Sequence, residues 1–218
     1  MKTQRRRIIA LWLWGLGVLF LTQSGNAAAE PKNFKFEVTP YGAYRLGGDF
    51  EDTDSATELD VEESNAFGVM LNGSVPSGGQ WEFLYAVQDT KVETGGLFGN
   101  DPIAGLDIEY IQLGGTYLFD GDDVRPFIAM TLGVSHFDPQ PEDLGSESFF
   151  SASLGGGVQL LARQRLGVRL EGRVFSTFLT TDSNIFCRSD FGVGECLVQV
   201  SGNTFTQWEA RAGLVFRF

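Results

Sequence analysis

Three observations predict an all-β protein, an eight-stranded antiparallel transmembrane β-barrel with short periplasmic turns and four longer extracellular loops. Eight segments alternate apolar and polar residues with a period of two, as strands with two unlike faces do. The connections between them alternate between short and long, which an up-and-down barrel with both termini on one side requires. The chain begins with a basic and then apolar leader and ends on an alternating strand that stops at Phe218.

The closing segment carries the argument furthest. Trp208, Ala210, Ala212, Leu214, Phe216 and Phe218 share one face, and Gln207, Glu209, Arg211, Gly213, Val215 and Arg217 share the other. In an exported chain with many such segments, the apolar face meets lipid and the polar face meets a lumen. Phe216 and Phe218 at the strand's end are candidates for an assembly signal.

At the other end, Lys2, Arg5, Arg6 and Arg7 precede an apolar run of 14 residues, Ile8 to Leu21, followed by Ala27-Ala28-Ala29. This has the layout of a signal peptide over residues 1–29, cleaved after Ala29, with Ala27 as the second choice, and handled by the Sec route. The run is short of the roughly 20 residues that a membrane-spanning helix needs. Residues 30–218 form the barrel domain. No segment of 18 consecutive apolar residues follows, so a membrane protein of this sequence crosses with strands.

The first segment, about Asn33 to Leu46, sends Phe36, Val38, Pro40, Tyr44 and Leu46 outward and Glu37, Thr39, Tyr41 and Arg45 inward. The second and third, about Ser64 to Val75 and Gln80 to Thr90, flank a turn at Pro76-Ser77-Gly78-Gly79. The fourth and fifth, about Leu106 to Phe119 and Val124 to Phe137, flank Asp120-Gly121-Asp122-Asp123. The sixth and seventh, about Phe149 to Leu161 and Leu166 to Phe178, flank Ala162-Arg163-Gln164-Arg165. The long connections are about Gly47–Glu63, Lys91–Gly105, Asp138–Ser148 and Leu179–Asn203. A soluble sandwich has no reason to sort loop length by parity. Aromatic girdles are expected from Trp81, Tyr117, Phe119, Phe216 and Phe218 at the periplasmic ends, and from Tyr44, Phe137, Phe150, Phe178 and Trp208 at the outer ends.

Together the leader, the eight segments, the parity of the turns, the stretch Pro40-Tyr41-Gly42-Ala43-Tyr44-Arg45 and the terminal Arg217-Phe218 resemble the OmpA/OmpX-type small outer-membrane β-barrels. The resemblance covers essentially the whole exported chain and implies a multi-pass barrel in the outer membrane of a Gram-negative cell. It implies a barrel alone, without a periplasmic OmpA-like domain, and it does not name an activity.

Charge narrows the partners. The leader holds four of the 16 basic residues and none of the 28 acidic ones, so the exported chain has 12 basic against 28 acidic groups, a formal charge of −16. That balance argues against nucleic acid as a partner. The expected partners are outer-membrane lipids and lipopolysaccharide, the barrel-assembly machinery during biogenesis, and divalent cations at acidic loops; a monomer is expected. The first long loop holds Asp49, Glu51, Asp52, Asp54, Glu58, Asp60, Glu62 and Glu63 with no Lys or Arg, but it lacks the glycine and glutamate spacing of an EF-hand.

Two further sets of residues stand out. The only cysteines, Cys187 and Cys196, lie in the fourth long loop, where an oxidising compartment favours a short-range disulfide. Inward positions carry Glu37, Arg45, Glu82, Arg169, Glu171, Arg173, Glu209 and Arg211, a lumen charge network that must pair or stay hydrated. Eight strands enclose only enough room for side chains, so the network is expected to plug the barrel. No catalytic, metal or cofactor residues are assigned. The function expected is non-enzymatic, a structural or surface-interaction role through the acidic loops. The first alternative is a narrow porin-like channel for small solutes. The second is a lipid-modifying hydrolase using the only histidine, His136, with Ser148 or Ser151 and Asp138. Ser135 is excluded as its partner, because adjacent strand residues face opposite sides.

Overall fold

Alternation of this kind closes a sheet when every strand finds two neighbours. In the computed structural model, which describes residues 35–51, 58–76, 79–93, 103–140, 146–179, 187–190, 193–196 and 204–218, the strands are β1 (Phe36–Leu46), β2 (Asp49–Glu51), β3 (Glu58–Asp60), β4 (Ser64–Ser74), β5 (Gly79–Glu93), β6 (Ile103–Leu118), β7 (Val124–Gln140), β8 (Glu147–Leu160), β9 (Leu166–Phe178), β10 (Cys187–Asp190), β11 (Val193–Cys196) and β12 (Thr204–Arg217). Eight of them form a closed antiparallel barrel in the order β1-β12-β9-β8-β7-β6-β5-β4. The other four make two small hairpins, β2–β3 and β10–β11, within the first and fourth long connections. Those hairpins have too few residues to display a period in sequence, and only loops were expected there. Residues 1–29, the expected signal peptide, lie outside the described residues, as do residues 52–57 of the acidic first loop.

The two ends of the chain complete the barrel. β1 pairs with β4 on one side and with β12 on the other, from Glu37 opposite Arg217 to Leu46 opposite Trp208. Beyond the last rung, Phe218 N donates to Phe36 O at 2.9 Å and Lys35 N donates to Phe218 O at 2.9 Å. Following the rungs from Glu37 through Asn72, Glu82, Gly114, Thr131, Ser153, Phe175 and Gln207 leads back to β1 about ten residues further up. That stagger tilts the strands by about 40° and sets a narrow bore. Inward glycines permit the tight curvature: a Cβ on Gly114, Gly133 or Gly157 would stand 2.0, 2.0 or 1.9 Å from a backbone oxygen of the neighbouring strand.

Outside, the wall is apolar over a band and then changes character. Leu113 is 61 % exposed, Met130 57 % and Trp208 63 %, values that only a non-aqueous surrounding makes favourable for so many large side chains together. Toward the extracellular end the outward residues become Asp89 and Lys91 on β5, Asp107 and Glu109 on β6, and His136 and Asp138 on β7. At that height the inward residues become apolar: Val92, Leu106, Ile108, Phe137, Phe149, Leu179 and Phe205 are all buried in one cluster with Val61. β5, β6 and β7 have 15, 16 and 17 residues, more than the 9–11 or so that cross a bilayer, so they rise above it. Phe137, expected in the outer girdle, is instead fully buried inside; the period that points Ser135 inward points Phe137 inward too.

Exposed rings cluster at both edges of the band. Phe36 meets Trp81 at 6.4 Å and Tyr117 meets Phe119 at 5.2 Å at the periplasmic edge, and Phe150 stacks on Phe178 at 5.7 Å at the outer one.

Candidate functional site in the barrel lumen

The inward face of β9 reads Arg169, Glu171, Arg173, and its period of two stacks the three side chains along the bore. Arg169 Nε donates to Glu171 Oε2 at 2.8 Å and Arg173 Nε donates to Glu171 Oε1 at 2.6 Å. Both arginines then reach across the barrel to Glu82 on β5, Arg169 Nη2 to Oε2 at 2.9 Å and Arg173 Nη2 to Oε1 at 2.6 Å. Thr116 and Asn72 also donate to Glu82 Oε2, at 2.6 and 3.1 Å, and Arg173 Nη1 donates to Thr131 and Ser153. All four charged side chains are fully buried. Such a set is stable only because each carboxylate meets two guanidinium groups at hydrogen-bond distance. β8 makes room for it: Gly155 and Gly157 stand opposite Arg173 and Glu171, and a Cβ on Gly155 would sit 2.4 Å from Glu171 Oε1.

A second cluster lies nearer the extracellular side. Arg45 donates to Glu209 Oε2 from Nε at 2.8 Å and from Nη2 at 2.5 Å, and from Nη1 to Gln88 Oε1 at 3.0 Å. Its guanidinium carbon is 5.0 Å from the Tyr110 ring centre and 4.8 Å from that of Phe175, close enough for cation–π attraction. Arg211 Nε is 2.6 Å from Glu209 Oε1, an ion pair that lacks hydrogen-bond alignment.

Glu37 stands apart from the other seven expected network residues. Its partner is Arg217, whose Nε donates to Glu37 Oε1 at 2.9 Å, with Gln159 bridging the pair. Arg217 also donates to the carbonyls of Leu161 and Gln164, tying the last strand to the β8–β9 turn. It had not been singled out, although it shares the inward face of Glu209 and Arg211. The uncharged members Gln88, Gln207, Tyr110 and Gln112 were also passed over. They carry no net charge to mark them, and only their inward parity could have done so.

Above the ion pairs the bore is closed a second time. Phe137 packs edge-on against Phe149 at 5.7 Å and Phe205 at 5.6 Å, and Tyr110 lies on Phe175 at 4.6 Å. The base of the first loop folds over this layer: Val61 N donates to Gly48 O, Glu62 N to Lys91 O, and Thr90 Oγ1 to Glu62 O.

On the outer wall His136 and Ser148 face each other across β7 and β8, with His136 Nδ1 and Ser148 Oγ 2.9 Å apart; Glu109 is opposite His136 on β6. Ser135 and Ser151 point inward and are fully buried, away from the imidazole. Phe216 projects outward on the lipid face and Phe218 is 65 % exposed. Cys187 is directly opposite Cys196 in the backbone register of the β10–β11 hairpin.

A closed eight-stranded barrel with an apolar belt, two aromatic edges and a hydrogen-bonded interior is an integral barrel of the outer-membrane class. By sequence the chain matches no protein-family model and no curated protein. By structure it is similar to neisserial surface protein A, at 12 % identity over 84 % of this chain and 97 % of that one with a TM-score of 0.60. It is similar also to outer membrane protein AlkL, solved by solid-state NMR in lipid bilayers, at 12 % identity over 91 % and 97 % with a TM-score of 0.57. A third is outer membrane protein OprG from Pseudomonas aeruginosa, at 12 % identity over 86 % and 97 % with a TM-score of 0.51. At such identity the likeness is one of fold. The protein is thus a small eight-stranded barrel of the outer membrane.

Proposed function

We propose that this protein is a sealed, non-enzymatic outer-membrane barrel with a structural or surface-interaction role, whose rigid wall presents acidic loops to the outside. The observation that carries the reading is the double closure of the bore, by Arg169, Arg173, Glu82 and Glu171 at one level and by Phe137, Phe149 and Phe205 above it. An ion crossing this path would have to separate buried pairs and then leave water altogether, which is costly in a low-dielectric bore. Planar-bilayer recording of protein extracted from membranes tests it: the expectation is no stable conductance. A large, reproducible conductance would transfer the assignment to a small-solute channel.

The same reading includes export by a signal peptide cleaved after Ala29, assembly directed by Phe216 and Phe218, a monomeric state, and weak cation binding by the first loop at a lipopolysaccharide surface. Amino-terminal sequencing of the envelope form checks the first of these.

One observation favours a second reading, an interfacial lipid hydrolase. The His136–Ser148 pair is at hydrogen-bond distance on the outer wall, where the lipid face gives way to polar residues. A serine hydroxyl beside an imidazole is the minimum for acyl transfer. Loss of lipid-ester turnover in both Ser148→Ala and His136→Ala would establish it, and unchanged lipid profiles would leave the pair a cross-strand hydrogen bond.

A further inference from the structure

The buried charges do not balance. Among the described residues the lumen buries five arginines, Arg45, Arg169, Arg173, Arg211 and Arg217, and four glutamates, Glu37, Glu82, Glu171 and Glu209. The imbalance can be located. Arg217 has Glu37 to itself, and Arg169 and Arg173 share Glu82 and Glu171 two for two. The remaining cluster sets Arg45 and Arg211 against Glu209 alone.

Within that cluster Arg45 is the satisfied member and Arg211 is not. Arg45 donates two bonds to Glu209 and one to Gln88. Arg211 donates from Nη1 only to Met70 Sδ at 3.5 Å, a weak acceptor; its Nε meets Glu209 Oε1 at 2.6 Å without hydrogen-bond alignment, and its Nη2 has no acceptor though fully shielded from solvent. Its guanidinium lies over the Tyr41 ring at 4.5 Å, and the Tyr41 hydroxyl is likewise buried without a partner. The wall beside Arg211 carries Ala43 opposite Arg211 and Ala66 opposite Ala43, and the Tyr41 ring lies against Gly68, where a Cβ would stand 2.5 Å from the Tyr41 hydroxyl. A buried guanidinium whose Nη2 has no acceptor, in a cluster with one carboxylate for two arginines and beside a buried hydroxyl without a partner, is the chemistry of an anion site.

We propose that the Arg45–Glu209–Arg211 cluster is completed by a small monovalent anion of the chloride class, held inside the barrel against Arg211 Nη2 with the Tyr41 hydroxyl as a further donor. The anion supplies the fifth negative charge and an acceptor for Arg211 Nη2, so it is a structural ligand of the folded barrel. It binds the folded chain alone, because the site needs β1, β4 and β12 side by side.

Urea unfolding of protein extracted from membranes, in micelles at fixed ionic strength with chloride exchanged for the bulky gluconate ion, reads this directly. Above saturation, each tenfold rise in chloride should raise the folded-to-unfolded ratio about tenfold, the signature of one bound ion. Arg211→Met removes the excess charge and should abolish the dependence. Met70→Glu places a carboxylate where Met70 Sδ now meets Arg211, and should abolish it while leaving every arginine in place; this variant carries the test if Arg211→Met does not fold. Crystals soaked in bromide should give an anomalous peak beside Arg211 inside the barrel. Chloride-independent unfolding of the wild type, a retained dependence in Met70→Glu, or bromide confined to the outer surface would each overturn the proposal.

Discussion

The membrane-embedded part of the barrel and its extracellular extension are built from the same strands with opposite polarity. In the embedded part Leu113, Met130 and Leu132 face out and Glu82, Arg169, Glu171 and Arg173 face in. In the extension Asp89, Glu109 and His136 face out and Ile108, Phe137 and Phe149 face in. The period of two continues across the boundary on β5, β6 and β7, and only the identity of the wet side changes. Below the boundary the surroundings are hydrocarbon and polar groups must find one another inside; above it the surroundings are water and the interior becomes an ordinary hydrophobic core. The two regions therefore fail in different ways. One fails when a charge loses its partner, the other when packed volume is lost.

The largest effect expected is at the centre of the ion pairs. Glu82→Leu leaves Arg169 and Arg173, side by side on the inward face of β9, with Glu171 as their only carboxylate, and should cost about 3–5 kcal/mol of unfolding free energy in urea titration. Replacing Glu82, Arg169, Glu171 and Arg173 together with apolar residues of similar volume should cost much less. If the single and the combined variants were equally unstable, the region would be held by packing after all, and the contrast between the two interiors would collapse.

Phe137→Ala probes the other interior. Removing a fully buried ring costs about 3–5 kcal/mol where the cavity cannot collapse. Because the loss is confined to the extension, amide exchange should accelerate at the upper ends of β5, β6 and β7 and stay slow around Glu82 and Arg173. Uniform acceleration over the whole barrel would mean that the extension and the embedded part unfold as one unit.

How much of this could be read in the sequence follows from the range of each signal. The fold and the facing of Arg169, Glu171 and Arg173 are local matters, since a period of two is visible within a single strand. The bond from Glu82 to Arg173 is not, because it depends on the stagger accumulated over the strands between them. Phe137 was misplaced for a different reason: it is two residues from inward-facing Ser135, so parity already excluded the girdle, and its aromatic character near a strand end was weighed above its parity. Arg217 was legible by parity and was overlooked beside the terminal aromatics. The β10–β11 hairpin has four-residue strands, below the length at which alternation means anything.

The boundary itself can be located by charge. Met130→Arg puts a cation near the middle of the lipid face and should cost about 2–4 kcal/mol, whereas Asp89→Arg, just above the boundary, should cost about 0–1 kcal/mol. Refolding the two variants into vesicles and comparing urea midpoints gives the difference. Equal costs would place Asp89 within the bilayer and move the polarity change higher up the wall.

The smallest effect on the barrel is expected at the fourth loop, where β10 and β11 form a two-stranded sheet of their own outside the barrel ladder. The register of β10 and β11 sets Cys187 opposite Cys196, followed by Arg188 opposite Glu195, Ser189 opposite Gly194 and Asp190 opposite Val193. Directly opposed residues of an antiparallel pair have Cα atoms about 4.5–5.5 Å apart, within the range of bridged cysteines. We therefore expect a disulfide there in the exported protein. A ring of about ten residues should hold the hairpin by about 2–3 kcal/mol in the chain-entropy picture. Cys187→Ser should accordingly speed proteolytic nicking between β9 and β12 and leave the urea midpoint of the barrel where it was, since the ladder from β9 to β12 does not pass through the loop. A shifted midpoint would show that the loop supports the wall, and two free thiols in protein isolated without reductant would remove the bridge altogether.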